Sequence, residues 1–247
     1  MASSYRDQSR IRKRLRSWLR RNLEPWREAS FAGIDVHYKE CLDGGGSSFG
    51  QDLIPFLRGR GMPRQRRVFE WCAGPGFIGF SMLGHGLCDT LCLADVNKKA
   101  VAACRRTIAA NRLADRAVVY HSDNLNGFGP AEQFDLVVGN PPHYDSDDVD
   151  WLRSADNGWR LHREFFATIG RHLRPGGVIV LQENNQGSTV DNFRALIEAA
   201  GLRISFVEGC APELTPDHHF YYIGIVRQGD LAPGWADGGA VEPAAAQ

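Results

Sequence analysis

With 247 residues, of which 43% are hydrophobic and 23% charged, the chain is long enough for one domain with a substantial core. The formal net charge of zero and the pI of about 7.1 provide no overall attraction for nucleic acid or an acidic partner. The six cysteines form no CxxC pair and no zinc-type pairing with histidine, so no metal is expected. Without a signal peptide or a long apolar span, the sequence predicts a cytoplasmic protein with no membrane partner.

Residues 1–65 precede the regular part of the chain. Within them, 5–23 predict a basic amphipathic helix, and the Gly-rich stretch from Leu42 to Gln51 predicts a connecting loop that leads into a short helix near Asp52–Arg58. The apolar stripe of the basic helix favours packing on the main domain or on a second subunit, which would give a homodimer. RNA or membrane contact through its arginines is the alternative.

Residues 66–228 alternate between strand and helix patterns, which predicts a doubly wound, mostly parallel α/β sheet of seven strands with a small N-terminal helical extension. The strands are placed near 67–71, 90–95, 116–121, 134–139, 177–182, 203–209 and 219–227. The helices are placed near 77–86, 97–112, 157–173 and 188–200. Residues 229–247 are rich in Gly, Ala and Pro and predict a disordered tail.

Three of the predicted strands end in polar groups. Glu70 ends the first strand and is followed by a turn with Gly74 and Gly76, where the backbone can approach a ligand closely. Asp95 ends the second strand, at a position suited to ribose hydroxyls, and Asp123 follows the third. Each acid alone could be a solvated strand end or a helix cap. Together they predict one ligand-binding crevice.

The fourth strand leads directly into Asn140-Pro141-Pro142-His143-Tyr144. Two prolines fix their own φ angles and restrict the residue before them, so the loop is stiff. Open α/β sheets bind ligands at the carboxyl ends of their strands. This loop is therefore predicted to hold a flat, NH-bearing group through an amide, backbone carbonyls and an aromatic ring.

The order and spacing of these residues resemble the class I S-adenosylmethionine (SAM)-dependent methyltransferases, over roughly residues 50–227. The resemblance implies that 66–228 form a SAM-binding catalytic domain. It also implies that Glu70, Gly74 and Gly76 close over the methionine moiety, that Asp95 holds the ribose and that Asp123 contacts the adenine amino group. Cys72 stands where that family usually has its first glycine.

The Asn-Pro-Pro-aromatic loop is similar to that of methyltransferases that modify planar nitrogens, including adenine N6, guanine N2 and glutamine amide enzymes. This resemblance implies that the Asn140 side chain and the Pro141 carbonyl accept hydrogen bonds from the acceptor NH group. His143 or Tyr144 would then stack on the acceptor plane. The gain for methyl transfer would come mostly from positioning.

The residues after the loop are acidic. Asp145 and Asp147 follow Tyr144 closely, and Glu183 ends the fifth strand. Carboxylates repel phosphate and pair with a planar cationic guanidinium. The leading hypothesis is therefore an N-methyltransferase of a small-molecule or peptide guanidinium such as arginine, for example in natural-product biosynthesis.

Alternatives to this hypothesis remain open at this point. The acidic stretch could be a solvated loop in which Asp150 caps a helix. The intact Pro-Pro loop favours methylation of RNA or of a protein glutamine, with the basic helix at 5–23 binding the macromolecule. A catalytically inactive SAM-binding scaffold is a third function class. His218 and His219 either line the acceptor pocket or begin an edge strand.

Overall fold

The computed structural model describes residues 24–42, 52–146, 155–209 and 220–237. The predicted basic helix at 5–23, most of the Gly-rich loop, Asp147, Asp150, His218 and His219 lie outside these ranges. The described helices are α1 Leu53–Gly59, α2 Phe77–Gly84, α3 Lys98–Ala110, α4 Arg160–Ile169 and α5 Val190–Ala199. None of them is long and apolar enough to cross a membrane.

Seven strands form one sheet in the order β5-β4-β3-β6-β7-β9-β8. They are β3 Gln65–Trp71, β4 Cys88–Asp95, β5 Ala117–His121, β6 Phe134–Gly139, β7 Leu173–Asn184, β8 Leu202–Gly209 and β9 Phe220–Arg227. Only β9 runs antiparallel to its neighbours, β7 and β8. The predicted doubly wound, mostly parallel seven-stranded fold is confirmed.

The central strands are apolar on both faces because helices cover both sides of the sheet. On one face Val68 and Leu136 pack with α2 and α3, and on the other Phe69 and Val137 pack with α4 and α5. The strand order reverses between β3 and β6, whose parallel pairing ends at Trp71 and Gly139. Such a switch point leaves a crevice at the carboxyl ends of the strands.

A two-stranded hairpin that the sequence pattern did not reveal packs outside this sheet. Its strands are β1 Arg27–Phe31 and β2 Ile34–Tyr38, and Ala32 and Gly33 form the turn with φ of 48° and 90°. Positive φ at both central positions is the geometry of a two-residue hairpin turn. A short 3-10 turn at Glu40–Leu42 then packs Leu42 against Ala100 and Ala103 of α3.

Two predicted boundaries need correction. The helix predicted at 157–173 ends at Ile169, because Leu173 already pairs with Phe134 of β6. The disordered tail predicted from residue 229 is wrong for residues 229–237. Ala236 is buried there, and the Arg60 guanidinium donates hydrogen bonds to the carbonyls of Trp235 and Asp237 at 2.8 and 2.9 Å. The prediction of disorder rested on the Gly, Ala and Pro content of the segment. It did not take into account that Trp235 and Ala236 pack against the hydrophobic core.

Candidate active site

A cavity of about 330 Å³ lies at the switch point, at the carboxyl ends of β3, β4, β5 and β6. We call it the strand-end cavity. Its size falls in the range of small-molecule sites. Of the predicted site residues, those that line it are Glu70, Gly74, Asp95, Asp123, Asn140, Pro141 and His143. The structure therefore brings together the strand-end acids and the Pro-Pro loop, which are far apart in sequence.

The turn after β3 has the backbone shape that its glycines predicted. Gly74 and Gly76 have φ of 52° and 85°, and a Cβ on Gly76 would lie 2.7 Å from the Phe80 ring. Cys72 also has a positive φ, 53°, a conformation that L-residues with a Cβ rarely adopt. The backbone at position 72 therefore has a conformation that glycine usually adopts.

Glu70 is buried, and its Oε2 accepts a hydrogen bond of 2.7 Å from the Gly79 N–H at the start of α2. Burial raises the pKa of Glu70 to about 8, against hydrogen bonds from Gly79 and Ile78 that lower it. A Cβ on Gly79 would lie 2.6 Å from this carboxylate, so Gly79 allows the close approach. Glu70 thus lines the cavity and also accepts a hydrogen bond from the first turn of α2.

Asp95 is fixed by backbone donors on both sides. Its Oδ2 accepts from Gly74 N–H and its Oδ1 from Asn97 N–H, both at 2.7 Å. Burial raises its pKa, and the two hydrogen bonds oppose that rise. Each carboxylate oxygen keeps a lone pair that can accept from a ligand hydroxyl. Asp123 faces the same cavity from the loop after β5.

The loop after β6 holds an unsatisfied acceptor. The Asn140 Oδ1 is buried and has no hydrogen-bond partner among the described residues. The neighbouring Pro141 carbonyl accepts from His143 Nδ1 at 3.1 Å, which leaves its second lone pair. Burial lowers the pKa of His143, so its ring is favoured in the neutral form. Because an unpaired buried carbonyl is unfavourable, Asn140 is poised for a donor that enters the cavity.

Two of the predicted acceptor carboxylates, Asp145 and Glu183, are not in the wall of the strand-end cavity. Asp145 is exposed, and its Oδ1 accepts from Gly158 N–H at 2.7 Å, which is the role of a cap. Glu183 is fully buried against His162 and Ser188. Tyr144 lies beside His143 with ring centroids 4.9 Å apart, yet it is not part of the cavity wall.

Two groups of polar residues near the cavity were missed by the sequence reasoning. Trp71 and Asn124 line the cavity and hydrogen-bond to each other at 2.9 Å. Behind the Pro-Pro loop, His162 lies between Asp156 and Glu183, with N···O distances of 2.7 and 3.1 Å. Asn124 directly follows Asp123 and could have been noticed, but the Asp156–His162–Glu183 cluster joins residues with no common motif.

Residues 43–200 match the sequence profile of the methyltransferase small domain. The chain belongs to that family. Curated relatives include the release factor glutamine methyltransferase of Caulobacter vibrioides, which is 31% identical over 52% of this chain and 53% of the relative. The ribosomal protein uL3 glutamine methyltransferase of Francisella tularensis is 27% identical over 48% of this chain and 41% of the relative.

A third relative, the ribosomal RNA small subunit methyltransferase C of Salmonella arizonae, is 29% identical over 66% of this chain and 44% of the relative. The chain thus spans about half the length of these relatives or less. Among solved structures, the Thermus thermophilus 16S rRNA N2 G1207 methyltransferase, in complex with AdoMet and guanosine, has a TM-score of 0.56 and 19% identity. That match covers 83% of this chain and 50% of the other, and it shows a shared fold.

Proposed function

We propose that this chain is a SAM-dependent N-methyltransferase whose acceptor is the planar amino group of a macromolecule, with the exocyclic amine of an RNA base as the leading substrate. One observation supports this above the others. The buried Asn140 Oδ1 has no hydrogen-bond partner in the described part of the chain, and Asn140 belongs to the wall of the strand-end cavity. A planar NH₂ group would satisfy it.

The cavity residues fit SAM. Gly74 allows the backbone to approach the methionine part, Asp95 offers lone pairs to ribose hydroxyls, and Asp123 offers its carboxylate to the adenine amino group. When bound, SAM supplies an electrophilic methyl group on a sulfonium. The acidic groups around the cavity suit a positively charged cofactor.

The acceptor nitrogen would be oriented by the loop after β6. One N–H would donate to Asn140 Oδ1 and the other to the remaining lone pair of the Pro141 carbonyl. This arrangement turns the nitrogen lone pair towards the methyl group, which is catalysis by positioning. A neutral His143 ring beside the site adds no positive charge near the sulfonium.

The positions of Asp145 and Glu183 argue against a guanidinium acceptor. That hypothesis required carboxylates beside the acceptor, but Asp145 caps a turn and Glu183 faces His162. Asp147 lies outside the described residues. The neutral loop of Asn140 and Pro141 fits an amide or an exocyclic amine, neither of which carries a charge.

An RNA acceptor is favoured by the surface of α3. Lys98 and Arg105 of α3 and Arg112, two residues beyond its end, are exposed, and none forms an ion pair with a carboxylate of the described residues. No acidic residue occurs between Asp95 and Asp115, and Asn97 and Ala100 at the start of the helix line the cavity. The helix therefore extends a basic surface of about 20 Å away from the cavity, which suits a phosphate backbone.

A glutamine side chain of a protein is the second candidate, because two of the curated relatives are named as glutamine methyltransferases. Its amide NH₂ would present the same two N–H donors to Asn140 and Pro141. The basic surface of α3 would then contact an acidic protein or a ribonucleoprotein.

The test is incubation of the full chain with methyl-labelled SAM and, in separate reactions, bulk RNA, a mixture of bacterial proteins, and free arginine. We expect label in a base of the RNA, and loss of at least 100-fold in rate for Asn140→Ala with SAM affinity retained. Label in glutamine would establish the second candidate. Label only in arginine, or full activity of Asn140→Ala, would contradict the proposal.

A further inference from the structure

The Asp156–His162–Glu183 cluster is completely enclosed. His162 and Glu183 are 0% exposed and Asp156 is 4% exposed. His162 Nδ1 contacts Asp156 Oδ2 at 2.7 Å, and its Nε2 contacts Glu183 Oε1 at 3.1 Å. A neutral imidazole has one N–H donor, whereas the imidazolium has two. Both ring nitrogens face carboxylates, so the imidazolium, with its two N–H groups, can donate to both.

The two carboxylates belong to the two segments on either side of Tyr144. On one side, the Asp156 N–H donates to the Tyr144 carbonyl at 2.8 Å, and Tyr144 forms a bridge with Ala155. On the other side, Gly187 approaches so closely that a Cβ there would collide with the His143 carbonyl and the Tyr144 ring. Ser188, next to Gly187, donates to Glu183 Oε2 at 3.2 Å.

Asp156 also fixes the beginning of α4. Its carboxylate accepts from the N–H groups of Leu161 and His162 at 2.8 and 3.1 Å. Leu161 lines the strand-end cavity, and its carbonyl accepts from Asn124. Asp156 therefore acts at two places. Its carboxylate, which pairs with His162, positions one wall of the cavity, and its backbone N–H holds the end of the Pro-Pro loop at Tyr144.

We propose that His162 is a positioning residue for this loop: as an imidazolium it ties Asp156 to Glu183 and so holds Tyr144 between the two segments. The inference rests on the proposed function, in which Asn140-Pro141-Pro142-His143 orients the acceptor. His162 itself touches neither cavity nor substrate. Its effect reaches the acceptor through the backbone that follows His143.

The charges around His162 agree with this role. Burial opposes the imidazolium, but Glu183 and Asp156 outweigh it and raise the pKa of His162. Among the described residues, the other titratable groups facing the cluster are Arg160 at the start of α4, His143 from the loop, Cys72 from the turn after β3, and Tyr221 of β9, which contacts Ser188. Removal of the cation would leave two buried carboxylates without a counter-charge, which is strongly unfavourable.

The first test is independent of activity. In wild-type protein at pH 7, nitrogen NMR should show protons on both ring nitrogens of His162. In His162→Gln, amide exchange at Asp156 and Gly158, the donors to Tyr144 and Asp145, should become at least tenfold faster, while Gly74 and Gly79 amides keep their protection.

The control is His172→Gln. His172 is also buried and lies in the turn after α4, and its Nδ1 contacts the Glu132 carbonyl at the opposite end of the sheet. It should leave the exchange of Asp156 and Gly158 unchanged. A neutral His162 ring, unchanged exchange in His162→Gln, or equal loosening in His172→Gln would overturn the inference.

The second test uses methyl transfer. His162→Gln should lower kcat/KM for the acceptor at least tenfold and leave the Kd for SAM within twofold of wild type. An equal loss of SAM affinity would mean general damage and would contradict a positioning role. If the wild-type chain methylates no acceptor, the proposed function fails, and the NMR and exchange results still decide whether His162 holds the loop.

Discussion

The indole Nε1–H of Trp71 donates a hydrogen bond of 2.9 Å to Oδ1 of Asn124, and both residues line the strand-end cavity. Trp71 ends β3, while Asn124 follows β5, two strands away at the edge of the sheet. Asn124 Nδ2 continues the connection to the Leu161 carbonyl at 3.0 Å. One amide therefore joins three separate parts of the cavity wall.

Asn124→Ala should lower the free energy of unfolding by about 1–3 kcal/mol, because the buried Trp71 N–H and Leu161 carbonyl lose their partner. Asn124 also has φ of 54°, a conformation that asparagine adopts more readily than alanine. Urea denaturation measures the loss. The control is Asn126→Ala on the same loop, where the side chain is exposed and a change below about 0.5 kcal/mol is expected. Equal effects of the two substitutions would contradict this role of Asn124.

Gly76→Ala should damage both stability and cofactor binding. The alanine Cβ would meet the Phe80 ring at 2.7 Å, and the φ of 85° is unfavourable for any residue with a Cβ. The matched control is Gly86→Ala, where φ is 71° but a Cβ meets no atom within 4 Å. The control isolates the backbone strain, about 1–2 kcal/mol. Gly76→Ala should lower the free energy of unfolding by more than this amount. It should also weaken SAM binding at least tenfold, as measured by calorimetry. SAM affinity equal to that of Gly86→Ala would refute the steric argument.

The sequence was most informative where a local pattern and a strand end coincide. The apolar run before Asn140 predicted β6 with its observed bounds, and the acids after three strands predicted one crevice. The β1–β2 hairpin was missed because β1, which contains Arg27, Glu28 and Ser30, shows no clear apolar alternation. The His162 cluster escaped because its partners, Asp156 and Glu183, meet only when α4 packs on β7. Asp145 and Glu183 were placed in the acceptor pocket on charge alone, which does not tell which way a side chain points.

Glu70 should make stability fall as the pH rises. Its pKa is about 8 in the folded chain, raised by burial from an ordinary 4.5, so the folded state binds the proton more tightly than the unfolded state. Below about pH 4.5 both states are protonated and the residue has no effect. Between about pH 4.5 and 8 the unfolded chain alone loses the proton, and stability decreases by linkage.

Glu70→Gln removes this titration and keeps an oxygen that can accept from Gly79. Relative to wild type, the variant should therefore gain free energy of unfolding progressively from pH 5 to pH 8, as measured by urea denaturation at matched pH values. The exposed Glu198→Gln serves as the control and should follow wild type. A difference between Glu70→Gln and wild type that stays constant with pH would show that the Glu70 proton is not coupled to folding.

If α3 contacts an RNA backbone, the salt dependence of binding should report it. Each phosphate contact on single-stranded nucleic acid contributes about −0.7 to the slope of log K against log salt concentration. Replacing Lys98, Arg105 and Arg112 by glutamine should therefore make that slope shallower by about 2. Filter binding between about 50 and 200 mM salt measures it. The control replaces Arg66, Arg171 and Arg194, which are exposed on other elements, and keeps the same net charge change. Both variants lose three positive charges. An equal change of the two slopes would therefore indicate a general charge effect and would exclude α3 as the RNA-binding surface.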